Sequence, residues 1–222
     1  MKFAIQTLFA IGFTALALNA SAGNGKWSQN NSVVSSDTEI VESTAIESIS
    51  VEEEHGIIFM REEEKLARDV YTTLYDIWGM AIFNNIAKSE QSHMDAMKVL
   101  IDKYALADPN IDDSVGVYSD YHFVETYEEL VALGSESLEG ALRVGIIIEE
   151  LDIKDINEMA SEVEGNDDIV STYEELLKGS RNHLRAFWDV FSSKGLDYEP
   201  QFISQEEFDS IINSPMETGN LQ

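Results

Sequence analysis

The sequence predicts an all-α protein, and three observations carry that expectation. Apolar residues recur with a period near 3.6 through four long stretches, the spacing that puts one face of a helix into a core. The 222-residue chain has only three prolines, so little interrupts those stretches. Residues suited to helix ends stand at their borders, with Gly79 and Gly195 as stops and Ser135 or Ser137 as a cap. The elements follow in chain order.

Residues 1–22 read as a signal peptide. Met1-Lys2 is a short basic start, Phe3 to Leu18 is largely apolar, and Ala20-Ser21-Ala22 offers a cleavage site before Gly23. The apolar run falls short of the ~20 residues a spanning helix needs, which favours cleavage over an uncleaved anchor. The mature protein is therefore expected to be exported, periplasmic or extracellular, with no stable membrane span. Residues 23–55 are rich in Ser, Asn, Thr and Glu without a sustained period, and read as a flexible acidic tether. Glu52-Glu53-Glu54 suits a helix start, where acids complement the dipole. His55 beside it reads as a surface residue.

A helical domain is expected over residues 56–195. Its first helix runs from about Gly56 to Trp78, burying Ile57, Met60, Glu64, Ala67, Tyr71, Leu74 and Trp78; Glu62, Glu63, Lys65, Arg68 and Asp69 read as a solvated face. The second follows after Gly79, from Met80 to Tyr104, with Phe83, Ile86, Glu90, His93, Met97 and Tyr104 on one stripe. Short connection makes the pair an antiparallel hairpin. Glu64 precedes the turn by about as many residues as His93 follows it, so at 1.5 Å per residue both lie roughly 21–23 Å from it and face each other. Ala105 to Gly134 is a long crossover carrying a short helix around Phe123 to Leu133; His122 within it belongs to no ligand pattern. The third long helix ends near Glu162 and buries Leu138, Leu142, Gly145, Glu149, Asp152, Ile156 and Met159, leaving Glu150 outside. The fourth, about Asp168 to Ser193, buries Ile169, Tyr173, Leu176, Ser180, His183, Phe187 and Val190. Residues 196–222 form a C-terminal tail with a short helix near Phe208 to Ile212.

Composition narrows function. Forty-two acids against fourteen bases give a formal charge of −28, a field that repels nucleic acid and anionic lipid and attracts cations. The absence of cysteine removes disulfides, zinc–thiolate sites, iron–sulfur clusters and thiol nucleophiles together. What remains is a set of polar residues in core slots: Glu64, Glu90 with His93, Glu149 with Asp152, and His183. Residues three apart on a helix are neighbours, so each pair can reach one point. Burying such groups unpaired is costly, and four carboxylates with two imidazoles converging between helices is the ligand inventory of a dinuclear site. Oxygen-rich ligation with imidazole suits two ions of iron or manganese and is compatible with zinc. The competing reading is a metal-free hydrogen-bonded network that fixes helix register.

The pattern resembles the ferritin-like superfamily, including ferritins and rubrerythrins. Glu64, Ala67 and Tyr71 match its first helix, Glu90 and His93 its E-x-x-H, and Glu149 and Asp152 the paired acids of rubrerythrin-type third helices. In the fourth helix His183 is present, but Ser180 replaces the second glutamate. The runs Glu62 to Tyr71, Ile86 to His93 and Gly179 to Phe187 look most like a prokaryotic ferritin-like domain family of unknown function, over about Gly56 to Pro200. The resemblance implies a four-helix bundle of two antiparallel hairpins. It also implies a di-iron or iron–manganese centre that oxidises iron or reacts with oxygen or peroxide. Ser180 would hold a water or leave a coordination position open, and Tyr71 would pack in the core within hydrogen-bonding reach of a ligand. Rubrerythrins bring a cysteine-ligated iron domain for electron delivery; with no cysteine here, an external donor or iron itself fits better. Two further readings stand beside this one: sequestration or storage of metal without turnover, and a structural helical module whose site has decayed. The catalytic residues, the substrate and the oligomeric state are not legible in the sequence.

Overall fold

The computed structural model describes residues 48–219, and among these it is all-α, with six helices and no strand. They are α1 (Val51–Trp78), α2 (Ala81–Lys103), α3 (Tyr121–Glu136), α4 (Leu138–Ser161), α5 (Asp167–Ser193) and α6 (Gln205–Ile212). The four long helices pack in a circuit: α1 on α2, α4 on α5, α1 on α4 and α2 on α5. Helix α3 lies against α1 and α4, and α6 against α5. No helix among the described residues is long and apolar enough to cross a membrane. The expected signal peptide and most of the expected tether lie outside the described residues.

Helix α1 begins at Val51, upstream of the expected start near Gly56. The reason is a complete capping box: Ser50 Oγ accepts from Glu53 N at 3.0 Å, and Glu53 Oε2 accepts from Ser50 N at 2.7 Å. The other oxygen of Glu53 accepts from Glu164 N and Asn166 Nδ2, at 3.1 and 2.8 Å, tying this end of α1 to the α4–α5 turn. At the other end Gly79 takes φ 63°, a left-handed conformation suited to glycine, and its N–H donates to Tyr75 O. Two residues then suffice to reverse the chain into α2. Ser137 caps α4, its hydroxyl accepting from Gly140 N.

The face of α1 expected to be solvated is covered. Glu62, Glu63, Lys65 and Asp69 are buried, and only Arg68 is half-exposed. The segment between α2 and α3 lies across this face and satisfies Glu62, Lys65 and Asp69, whereas Glu63 lies against Asp155 of α4. Ser119 N and Asp120 N donate to Glu62 Oε1, while Gly116 N and the Tyr118 hydroxyl donate to Asp69 Oδ2. Lys65 Nζ donates to Asp69 Oδ2 at 2.5 Å and to Ser114 O at 2.8 Å. Glu150, also expected outside, is fully buried, because Gln201 N and Phe202 N beyond α5 both donate to its Oε2, at 2.7 and 2.8 Å. Glu62, Asp69 and Glu150 share one cause. Periodicity finds the stripe facing the main core, but an acid on the opposite face becomes buried when a distant connection supplies backbone donors to it.

Candidate metal centre

Between the four long helices the apolar stripes are interrupted at one level. Tyr71, Phe83 and Phe187 form an aromatic layer, with ring centroids 5.2–6.4 Å apart. Beside that layer stand Glu64 from α1, Glu90 and His93 from α2, Glu149 from α4 and His183 from α5. The three glutamates are completely buried, and the two histidine side chains are 12 % and 10 % exposed. The centre therefore meets solvent only through its imidazoles, which belong to the two helices that pack as α2 on α5.

The side chains form two overlapping groups. Glu64, Glu90 and His93 place one ligand atom each within 4.8 Å of one another, and so do Glu90, Glu149 and His183. Glu90 belongs to both. Its Oε2 lies 2.8 Å from His93 Nδ1 and its Oε1 lies 2.8 Å from His183 Nδ1. His93 Nδ1 is also 3.1 Å from Glu64 Oε2, and His183 Nδ1 is 3.4 Å from Glu149 Oε2. The two rings stack with centroids 5.6 Å apart.

Distance is satisfied here, but hydrogen bonding is not. Both oxygens of Glu90, Oε1 of Glu64, Oε2 of Glu149 and Nδ1 of His183 are buried without an aligned hydrogen bond. Buried polar atoms are ordinarily paired, so a convergent set of unpaired donors and acceptors is the condition a cation relieves. Neighbouring groups hold the ligand atoms in place. The Tyr71 hydroxyl donates to Glu149 Oε1 at 2.5 Å, which leaves Oε2 for the interior. His183 Nε2 lies 2.9 Å from Ser89 Oγ, which orients the ring with Nδ1 toward Glu90 and Glu149.

Charge sharpens the same picture. Burial pushes Glu64 up to about 7 against the pull of His93, and pushes Glu149 up to about 7 against His183. Burial likewise opposes ionisation of Glu90, but the imidazolium charges of His183 and His93 outweigh it and hold that carboxyl below the ordinary carboxylate range. Burial disfavours charge on the histidines too; Glu90 and Glu149 nevertheless raise His183 to about 10, and Glu64 and Glu90 raise His93 well above the usual imidazole value.

Of the six residues expected as ligands, five fall into these groups. Asp152 does not, although it is 1 % exposed and both its oxygens lack hydrogen bonds. Burial and the charges of Glu64, Glu63, Glu149 and Glu90 push its carboxyl well above the usual range, which places it beside the centre. Ser180 is fully buried, and its hydroxyl donates to Leu176 O in its own helix at 3.1 Å. Sequence reasoning missed Ser89, which precedes Glu90 on a half-exposed position and shows no periodic signal. It also missed Glu63, where burial and Asp155 push the carboxyl well above its ordinary value.

Fold and site together define an all-α protein whose buried glutamate and histidine groups can hold a metal ion. Residues 53–215 match the family described as "Uncharacterized protein domain (DUF2202)", and the chain belongs to that family. It is 51 % identical over 181 residues to the uncharacterized protein MJ0754 of Methanocaldococcus jannaschii, covering 82 % of this chain and 97 % of that protein. The crystal structure of hypothetical protein MJ0754 superposes with a TM-score of 0.75 at 52 % identity, over 77 % of this chain and 97 % of that one.

Proposed function

We propose that this is an exported ferritin-like metal protein in which α1, α2, α4 and α5 form a four-helix bundle around two ions of iron or manganese. We further propose that the centre oxidises iron or reacts with oxygen or peroxide. One observation carries the reading: Glu90 stands between two groups, each completed by one further glutamate and one histidine, with most of their facing oxygens unpaired. Glu64 and His93 would hold one ion and Glu149 and His183 the other, with Glu90 common to both and Asp152 beside them. This donor set suits iron or manganese and accommodates zinc. When bound, such a pair supplies Lewis acidity and, for iron or manganese, a redox couple. The resemblance of Glu64, Ala67, Tyr71, Glu90 and His93 to the ferritin-like first and second helices supports the superfamily assignment, and the pattern of residues 1–22 supports export.

The chain's own groups prepare the site. Tyr71 fixes the orientation of Glu149, and Ser89 fixes the ring of His183. Ser180, bonded to its own helix, puts a short side chain where the superfamily carries a glutamate, leaving one side less fully liganded. With no cysteine to hold a separate electron-delivering iron, electrons would come from an external donor or from iron(II) itself as substrate. Metal storage without turnover uses the same residues, and turnover against stoichiometric uptake separates the two.

A metal-free structural network has one specific observation in its favour. Two imidazoles flank a single carboxylate at 2.8 Å, an arrangement that can neutralise itself by protonation. Thermal melting in iron(II) or manganese(II) decides between them. A ligand bound only by the native state adds about 2.7 kcal/mol at a hundredfold excess over Kd. The expected result is a higher melting temperature for the wild type, about half of the increment lost in His93→Ala, and a larger increment in Ser180→Glu. Identical wild-type curves with and without metal would leave the structural network standing.

A further inference from the structure

Gly179 lies in the interior of α5 without the left-handed backbone that requires glycine elsewhere in the chain. A glycine in ordinary helical conformation loses stability relative to alanine, so its place here calls for a steric reason. The reason is His93. A Cβ built on Gly179 would stand 2.4 Å from both Cε1 and Nε2 of the His93 ring, far inside van der Waals contact. The imidazole of α2 therefore rests its outer edge on the backbone of α5.

The ring has little freedom to retreat. On the opposite edge, Nδ1 lies 3.1 Å from Glu64 Oε2 and 2.8 Å from Glu90 Oε2, and the ring face stacks on His183. The two histidines are held differently. His183 is oriented through its second nitrogen by Ser89, whereas His93 turns its outer edge, Cε1 and Nε2, to the Gly179 backbone. Contact with a bare Cα does for His93 what Ser89 does for His183.

We propose that Gly179 is the positioning residue of His93. It leaves the space that lets the imidazole lie against α5 with Nδ1 delivered to Glu64 and Glu90. The role assigned to that nitrogen, holding one of two ions, rests on the metal reading above, but the contact itself does not. Any side chain at position 179 pushes the ring off this seat, disturbing the Glu64 side of the centre and leaving the Glu149–His183 side intact.

The test compares wild type, Gly179→Ala, His93→Ala and the double variant, each full-length, by melting in chelator and by manganese(II) titration counted from the free-ion electron paramagnetic resonance signal. Gly179→Ala alone is expected to melt below the wild type. In the His93→Ala background the same change is expected to raise the melting temperature, because the clash is gone and alanine is the better helix former. If Gly179→Ala does not fold, the double variant is expected to restore folding. In manganese(II), Gly179→Ala is expected to bind about half as many ions as the wild type, matching His93→Ala. A wild type that binds no manganese overturns the metal reading, while the reversal of sign still decides the contact. Gly179→Ala acting with the same sign in both backgrounds overturns the proposal. So does a folded Gly179→Ala protein with unchanged manganese capacity and affinity in a wild type that binds the ion, or a double variant that fails to restore folding.

Discussion

Glu90 is a carboxylate with no exposure, no aligned hydrogen bond and an imidazole nitrogen 2.8 Å from each oxygen. Its neighbours set how the metal-free protein responds to pH. Glu64 and Glu149 have folded values pushed up to about 7, against an ordinary 4.5. Between those values the folded state holds protons that the unfolded chain has released, so stability falls as pH rises. His183, raised to about 10, contributes stability in full below its ordinary 6.5 and loses it as pH climbs through 10. Glu90, whose folded value is lowered, acts oppositely, contributing above about 4.5 and losing that contribution in acid below this range. The metal-free melting temperature should therefore fall from about pH 5 to about pH 9. The increment from manganese(II) should grow over the same range, because protons compete for the ligand atoms. Melting in chelator and in manganese across this range checks both slopes; a metal-free value that rises toward pH 9 contradicts the arrangement of charges. These residues were legible because an acid or histidine in an apolar stripe is conspicuous. Asp152 was equally conspicuous, yet it stands apart from both groups, since a stripe fixes the direction of a side chain and not its reach.

Among the elements, α1 carries the largest departure from what periodicity implies. Lys65 and Asp69 are fully buried on the face turned away from the main core, and their partners include Ser114, Gly116 and Tyr118 in the α2–α3 connection. Amphipathic reading could not find this layer, because its partners are backbone groups and a tyrosine roughly fifty residues away whose path has no period. Breaking a buried pair by removing one partner costs about 3–5 kcal/mol, since the other charge is left buried. Asp69→Ala should lose that much in urea unfolding. Asp102→Ala, which removes the exposed pair with Lys98, should cost less than about 0.5 kcal/mol. Equal effects from the two substitutions would mean that the connection does not seal this face of α1.

For the molecule as a whole, the order and approximate limits of the helices were readable from period, caps and turn residues. The start of the folded unit was not, because Glu52 to Glu54 read equally as tether and as helix start. The capping box at Ser50 and Glu53, and the reach of Glu53 to Glu164 and Asn166, put the first turn of α1 inside the folded unit. A helix cap is worth about 1 kcal/mol, and here the same carboxylate also closes the α4–α5 turn. A chain beginning at residue 56 should melt several degrees below one beginning at residue 48; equal melting temperatures would show the first turn to be dispensable.

One carboxylate shared by two cation sites, as proposed for Glu90, fixes how many ions each variant can hold. Iron(II) or manganese(II) bound per chain should be measured by elemental analysis after dialysis for the wild type, His93→Ala, His183→Ala and Glu90→Gln. Two ions are expected for the wild type, about one for each histidine variant, and none for Glu90→Gln, which keeps the size of Glu90 while removing its charge. A wild type that binds no metal, or a Glu90→Gln protein that still holds two ions, would contradict the shared carboxylate.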